Sequence, residues 1–231
     1  MSFRLKNLLL SLVLLIGSSS YGQSQALDYL ALGDSYTIGE SVSETERWPV
    51  ILADTLRALG HAVSEPKILA TTGWTTAELI EGIDSAKIAR SYDLVTLLIG
   101  VNNQYRGLDI SIFREEYTQL LESAIDFAGG EPAHVFVLSI PDYGVTPFAR
   151  EKKPTKIARE VERYNRVKET ITRERGAHFV DITPISKMAK SDNTLLADDR
   201  LHPSGKMYTL WVEKALPVVR SEIRTWNLKG Q

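Results

Sequence analysis

The chain of 231 residues contains no cysteine, and this absence excludes several kinds of chemistry. Without cysteine the protein has no disulfide framework, no thiolate nucleophile, no thiolate-bound zinc and no lipid-modified cysteine. An excess of charge of one sign is also lacking, because 27 Lys and Arg residues oppose 29 Asp and Glu residues, for a formal net charge of −2. A balance so close to neutral provides no general attraction for nucleic acid or for an anionic membrane. We therefore expect neither as a partner.

Long apolar runs are scarce, and the one that stands out lies near the N-terminus. Residues 8–16 are almost entirely apolar, which is shorter than the roughly 20 residues that a membrane-spanning helix needs. Arg4 and Lys6 precede this run, and small and polar residues follow it. This order is typical of a secretory signal peptide.

The residues after the apolar run suggest where the signal would be removed. Ser20 and Gly22 suit the −3 and −1 positions, so the sequence predicts a signal peptide at residues 1–22 and a mature domain at residues 23–231. Cleavage after Ala26, with Ser24 at −3, is an alternative, and a retained N-terminal anchor is another. The predicted location is the periplasm or the outside of the cell, with no stable membrane insertion after cleavage.

The remainder of the chain has no internal repeat and no low-complexity linker, so we interpret it as one domain. Strands are predicted at residues 27–32, 62–69, 93–99, 134–140 and 178–182. Helices are predicted at residues 47–59, 75–83, 111–127, 156–175 and 204–226, the last one kinked or divided near Pro217. Apolar strands that alternate with helices indicate a parallel sheet covered on both sides. The predicted fold is therefore an α/β protein, a three-layer α/β/α sandwich around a central five-stranded parallel sheet.

Four short segments follow the predicted strands and contain residues suited to catalysis. They are Gly33-Asp34-Ser35 after the first strand, Gly73 after the second, Gly100-Val101-Asn102 after the third, and Asp199-x-x-His202-Pro203 between the fifth strand and the last helix. Sites in such folds form outside the carboxyl ends of the strands. We therefore expect the four segments to lie at the same edge of the sheet.

A serine, a histidine and an aspartate are available at this edge. A serine hydroxyl is a poor nucleophile unless a base takes its proton, and His202 is the candidate base for Ser35. Asp199 lies three residues before His202, a spacing that can bring its carboxylate to the other ring nitrogen. Asp198 is an alternative for the acid. Asp34 is expected to brace the turn before Ser35 and not to react.

The four segments, in this order, resemble the conserved blocks of the SGNH (GDSL) hydrolase family over about residues 27–226. The resemblance implies a flavodoxin-like sandwich, hydrolysis of esters or amides through a serine nucleophile, and no cofactor. It also implies an oxyanion hole formed by the backbone N–H groups of Ser35 and Gly73 and the side-chain amide of Asn102. The third block of the family usually reads Gly-x-Asn-Asp, whereas this chain has Asn103 in the last position, where we expect it to support the loop.

Other residues have more general predicted roles. Trp74, Tyr105 and Tyr143 follow strand ends and either line the substrate pocket or are ordinary surface aromatics. The other three histidines, His61, His134 and His178, are interpreted as solvated or structural, and because none has metal-ligand spacing with another histidine we predict no metal site. The charged face at residues 159–166 is interpreted as solvated.

The sequence as a whole favours a secreted serine esterase that hydrolyses small acyl esters or O-acetylated carbohydrates. A lysophospholipase-like or thioesterase-like acylhydrolase, or an acyltransferase, would use the same residues. A flavodoxin-like glycan-binding module with a degenerate site is the alternative of another class. Against it, the chain contains no Gly-x-Gly-x-x-Gly motif or phosphate-binding loop.

Overall fold

The computed structural model describes residues 26–88 and 91–229. The predicted signal peptide at residues 1–22 lies outside the described residues. Within the described part of the chain, no helix is long and apolar enough to cross a membrane.

A central sheet of five parallel strands organises the molecule, in the order β2-β1-β3-β4-β5. The strands are β1 (Tyr29–Gly33), β2 (Lys67–Ala70), β3 (Leu94–Leu98), β4 (Val135–Leu138) and β5 (His178–Val180). In the register of β1 with its neighbours, Gly33 lies opposite both Ala70 and Leu98. The segments that leave β1, β2 and β3 therefore start side by side at one edge of the sheet.

Helices surround the sheet and form two groups. They are α1 (Ser35–Ile38), α2 (Trp48–Ala58), α3 (Thr76–Ala86), α4 (Val101–Tyr105), α5 (Ile110–Phe127), α6 (Pro154–Glu174), α7 (Thr183–Lys187) and α8 (Gly205–Lys229). In one group α2 packs against α8, and in the other α5 packs between α3 and α6. This arrangement confirms the predicted α/β sandwich with its five-stranded parallel sheet.

The strands at the centre of the sheet form the core, because every residue of β1, β3 and β4 is buried. Such uniform burial explains why these strands appear in the sequence as continuous apolar runs and not as alternating patterns. The outer strands β2 and β5 are only partly buried, as expected for edges of the sheet.

Two predicted elements differ from the observed ones because of proline. The second strand is confined to Lys67–Ala70, and earlier in that segment Val63 forms only an isolated bridge with Leu27. Pro66 has no N–H group for a ladder hydrogen bond, so the strand begins after it. In α8 the predicted division is wrong, because the helix continues through Pro217. Pro217 lies on the exposed side of α8, where water can satisfy the carbonyl group left without a helical partner.

Candidate active site

Ser35 is held at the start of a short helix directly beyond the central strand. It is the first residue of α1, and the side chain of Asp34 caps this helix by accepting a hydrogen bond of 3.0 Å from the Tyr36 N–H. A Cβ atom at Gly33 would overlap the Thr37 hydroxyl and the Leu98 carbonyl oxygen. Only glycine therefore lets α1 fold back so closely on the strand end.

His202 lies in a tight loop directly before α8. The Ala197 N–H donates a hydrogen bond of 2.8 Å to the His202 carbonyl, and Leu196 forms an antiparallel bridge with Pro203. The imidazole ring packs edge-on against Tyr36, with the ring centres 5.6 Å apart. Both the backbone and the ring of His202 are thus held in place.

The three polar side chains form a continuous chain of hydrogen bonds. Nε2 of His202 lies 3.0 Å from Oγ of Ser35, and Nδ1 lies 2.6 Å from Oδ2 of Asp199. Ser35 is only 4% exposed, whereas the Asp199 side chain is 31% exposed. The three residues therefore run from the buried strand end towards the surface. Asp198 lies beside this chain of bonds, and the carboxylate that meets His202 is that of Asp199.

The Asp199 carboxylate is strongly favoured in its ionised form. Partial burial raises its pKa, but hydrogen bonds from the His202 ring, the Leu201 and His202 N–H groups and the Ser41 hydroxyl lower the pKa to about 2. An ionised carboxylate at this position selects the His202 tautomer with its proton on Nδ1, which leaves Nε2 free to accept the proton of Ser35.

Gly73 and Asn102 meet at the same place as Ser35. All three line one cavity, as do Tyr36 and His202. The Asn102 side-chain amide donates one hydrogen bond of 2.9 Å to the Trp74 carbonyl, which orients the group. An amide NH₂ group has two donors, so a second N–H remains for another acceptor. Gly73 has a φ of 87°, a backbone conformation that glycine adopts readily.

Asn103 is buried and links α4 to α3. Its Oδ1 accepts a hydrogen bond of 3.0 Å from the Thr76 N–H, and its Nδ2 donates one of 2.6 Å to the Thr76 hydroxyl. That hydroxyl donates its own proton to Glu116. Residue 103 must therefore supply a donor as well as an acceptor, which an amide does and an ionised carboxylate does not. This requirement explains why asparagine occupies position 103, where the family that the sequence resembles usually has an aspartate.

The cavity beside Ser35 has a volume of about 180 Å³ and is lined mainly by apolar atoms. Tyr105 and Tyr143 line it together with Phe148, which is one of the two possibilities that the sequence left open for these tyrosines. Trp74 is different, because its ring packs over Gly82 of α3 and the residue is not among those that line the cavity. Its contribution to this site is the backbone carbonyl that holds Asn102.

A buried lysine beneath the site was not identified from the sequence. The Lys168 amino group donates hydrogen bonds of 3.0 and 2.9 Å to the carbonyls of Ile99 and Leu138, where β3 and β4 end. Burial lowers the pKa of Lys168 to about 7, although the negative charge of Asp34 opposes this shift. The spacing of 157, 161, 164, 168 and 171 places this lysine on the buried face of α6, and that spacing is the signal that could have revealed it.

The remaining histidines lie outside this site. His178 stacks on Phe136 with 4.8 Å between ring centres, and His134 packs against Trp226 at 3.9 Å. Among the described residues, no group of three or more His, Cys, Asp or Glu side chains is arranged to hold a metal ion.

The fold and the site together are those of a carboxylic ester hydrolase, and the sequence comparison agrees. The chain belongs to the GDSL-like lipase/acylhydrolase family, whose model matches residues 31–210. No curated protein matches the chain in sequence.

Solved structures similar to this chain share its fold at low sequence identity. TesA superimposes with a TM-score of 0.67 at 16% identity, covering 84% of this chain and 99% of its own. The esterase EstA from Pseudoalteromonas sp., in a structure inhibited by monoethylphosphonate, gives a TM-score of 0.65 at 16% identity, covering 86% of this chain and 99% of its own. A variant of Axe2, an acetyl xylan esterase from Geobacillus stearothermophilus, gives 0.61 at 20% identity, covering 84% and 94%.

Proposed function

We propose that this protein hydrolyses short-chain acyl esters, with Ser35 as the nucleophile, His202 as the general base and Asp199 as the residue that orients His202. The observation that carries the proposal is the continuous chain of hydrogen bonds from Ser35 through His202 to Asp199, with distances of 3.0 and 2.6 Å. These are distances at which proton transfer takes place.

The reaction has two steps that use the same groups. The Ser35 oxygen attacks the carbonyl carbon of the ester while its proton moves to Nε2 of His202. The bond to the alcohol then breaks, and the alcohol leaves with the proton from His202. A water molecule attacks the acyl-enzyme, its proton passes to His202, and the carboxylic acid is released as Ser35 regains its proton.

The negative charge on the carbonyl oxygen needs donors that are already oriented. The proposed donors are the backbone N–H groups of Ser35 and Gly73 and the second N–H of the Asn102 amide. Their shared cavity and the bond from Asn102 to the Trp74 carbonyl support this assignment. Loss of one such donor typically lowers kcat by about 10²–10³-fold.

The size of the cavity supports a short acyl group. Its volume of about 180 Å³ is below the roughly 300–1,000 Å³ of pockets that enclose drug-sized ligands. Acetyl and butyryl groups suit this space better than long fatty-acyl chains. Because one similar structure is that of an acetyl xylan esterase, O-acetylated carbohydrates are the natural substrates to examine first.

Export of the protein is the second part of the proposal. Residues 1–22 precede the family match, which begins at residue 31, and they have the composition of a signal peptide. N-terminal sequencing of the protein recovered from the periplasm or the medium should begin at Gln23, or at Leu27 if the alternative site is used. Recovery of the intact N-terminus from the membrane would contradict export by cleavage.

The catalytic assignment is tested with 4-nitrophenyl acetate, butyrate and octanoate. We expect kcat/KM to fall with chain length, and we expect Ser35→Ala and His202→Ala each to lower kcat by at least about 10³-fold. Ser85→Ala and His61→Ala are matched controls outside the site and should behave as the wild type. Wild-type activity in Ser35→Ala would refute the proposed nucleophile.

Covalent labelling separates an esterase from a binding module. A fluorophosphonate should label Ser35 in the wild type and fail to label Ser35→Ala, because the reagent reacts with an activated serine. A folded wild-type protein that neither labels nor hydrolyses any of the three esters would favour the glycan-binding alternative.

A further inference from the structure

A second and larger cavity opens beside the one that contains Ser35. Its volume is about 760 Å³, and it lies between residues 104–110, which lead from α4 into α5, and residues 152–164 at the beginning of α6. Tyr105 and Tyr143 line both cavities, so the two are neighbours that share a wall. We refer to the larger one as the basic groove.

The lining of the basic groove has an excess of positive charge. Five cationic side chains and two carboxylates line it: Arg106, Lys152, Lys153, Lys156 and Arg163, with Asp109 and Glu160. The whole chain has a formal net charge of −2, so this concentration of cations is not a consequence of composition. A cleft lined by charges of one sign attracts ligands of the opposite sign.

Both carboxylates in the basic groove already have partners. Glu160 lies 3.4 Å from the Lys156 amino group and accepts a hydrogen bond of 2.8 Å from the Gln104 amide. Asp109 caps α5 by accepting hydrogen bonds from the N–H and the hydroxyl of Ser111. Both carboxylates therefore already interact with groups of the protein itself.

Three of the cations form no ion pair in the described part of the chain, although the positive charge of Arg163 helps to lower the pKa of the nearby Asp109. Across residues 26–88 and 91–229, none of the ion pairs includes Lys152, Lys153 or Arg163. The Lys152 amino group lies 3.1 Å from the Tyr105 hydroxyl and 4.5 Å from the centre of the Phe148 ring. Because both aromatic rings line the Ser35 cavity, a positive charge stands at the boundary between the two cavities.

We propose that the basic groove binds an anionic group, a carboxylate or a phosphate, on the alcohol part of the ester. The proposal rests on the proposed function, in which the short acyl group occupies the small apolar cavity. The alcohol part then leaves that cavity past Tyr105 and Tyr143 and enters the larger polar groove. Lys152, Lys153 and Arg163 there supply donors for charge-assisted hydrogen bonds to its anionic oxygens.

The test compares acetate esters that carry anionic, neutral or cationic groups at the same position of the phenol. The probes are 3-acetoxybenzoate, the uncharged 3-acetoxybenzamide, the cationic 3-acetoxy-N,N,N-trimethylanilinium and 3-acetoxyphenyl phosphate. The measured quantity is the ratio of kcat/KM for each charged ester to kcat/KM for the amide at low ionic strength. We expect the ratio to fall for the anions and to rise for the cation as salt is added, because salt screens both the attraction and the repulsion by the basic groove. The anion whose ratio decreases more with added salt is the one that the groove prefers.

Variants that each remove one positive charge show which side chains produce the preference for anionic esters. We expect Lys152→Gln, Lys153→Gln and Arg163→Gln each to lower the anion-to-amide ratio by about 2–5-fold, since an exposed charge pair contributes up to about that factor. Because the ratio is compared within each protein, differences in leaving-group reactivity cancel between wild type and variant. Lys214→Gln on α8 removes an exposed positive charge far from the groove and should leave the ratio unchanged.

The possible outcomes distinguish a failure of the groove proposal from a failure of the catalytic assignment. An unchanged ratio in all three variants contradicts the groove proposal and leaves the esterase assignment in place. Hydrolysis of the amide probe by Ser35→Ala at the wild-type rate, or no hydrolysis of any probe by the wild type, overturns the proposed function and the groove with it.

Discussion

Asp34 and Ser35 are adjacent in the sequence but lie in different environments. The Ser35 hydroxyl faces the cavity and His202, whereas Asp34 is fully buried beneath the turn. One Asp34 oxygen accepts the bond from Tyr36, and the other has no hydrogen-bond partner among the described residues. Burial raises the pKa of this carboxyl group to about 7, although the Tyr36 N–H and the positive charge of Lys168 oppose the shift. A buried acid thus lies directly beneath the proposed nucleophile.

The raised pKa of Asp34 predicts a pH-dependent stability. The folded state keeps the Asp34 proton up to about pH 7, whereas the unfolded chain releases it near the ordinary value of 3.8. The folded state binds more protons in this interval, so the free energy of unfolding should decrease as the pH rises from about 4 to 7, by an amount on the order of 1–3 kcal/mol. Urea denaturation across this range should show the decrease in the wild type and a flatter profile in Asp34→Asn.

Two results would decide this residue-scale prediction. Asp198→Asn, which removes a carboxylate that is not buried, should keep the wild-type profile. If Asp34→Asn and the wild type have the same pH dependence, Asp34 is ionised in the folded protein throughout the range. Lys168 has the opposite effect above pH 7. Because its pKa is lowered in the folded state, the unfolded chain binds more protons there, and the free energy of unfolding increases with pH.

At the scale of elements, the junction of β1 with α1 depends on close packing at Gly33. We expect Gly33→Ala to lower the free energy of unfolding by about 1–3 kcal/mol, because the added methyl group overlaps Thr37 and Leu98. It should also lower kcat, because any relief of the overlap moves Ser35 relative to His202. Thermal denaturation and an ester assay measure the two effects.

The control for Gly33 is a glycine in open space. A methyl group added at Gly60 would meet no atom within 4 Å, but Gly60 has a φ of 87°, so Gly60→Ala should cost about 1 kcal/mol and leave kcat unchanged. Equal losses of kcat in the two variants would show that the packing at Gly33 is not what positions Ser35.

The contact of α3 with α4 depends on the donor that Asn103 supplies. We expect Asn103→Asp to reduce the free energy of unfolding by about 1–3 kcal/mol, because the Thr76 hydroxyl loses its donor and gains a second carboxylate beside Glu116. Adding Glu116→Gln restores a donor to Thr76 and should recover part of the loss. The measurement is a double-mutant cycle by urea denaturation, and additive losses would contradict this account.

At the scale of the whole molecule, the chemistry should be independent of metal ions. In the proposed mechanism Ser35 is the nucleophile and His202 the base, and the described residues contain no cluster of His, Cys, Asp and Glu suited to a metal. Dialysis against EDTA should leave kcat/KM for 4-nitrophenyl acetate unchanged. A loss that is restored by added zinc or calcium would require a metal site.

The overall fold was predictable because its signals are local. Buried parallel strands such as Leu94–Leu98 are continuous apolar runs, and long helices such as Ile110–Phe127 show apolar residues with helical spacing. The short helices α1 and α4 were missed, since four or five residues are too few for a periodic pattern. They form because the chain turns back at Gly33 and Gly100, which is a property of the packed sheet edge.

The sequence by itself determined the order of the strands along the chain and the polar residues that follow them. Because parallel strands end at a common edge, these local signals sufficed to predict that Ser35, Asn102 and His202 lie together. Only the tertiary structure decided which side chains meet across long separations. Lys168 is buried because α6 packs over the ends of β3 and β4, and the basic groove exists because residues 104–110 face residues 152–164. The burial of Lys168 and the charge of the basic groove depend on segments that approach one another only in the folded chain. No local sequence pattern predicts that approach.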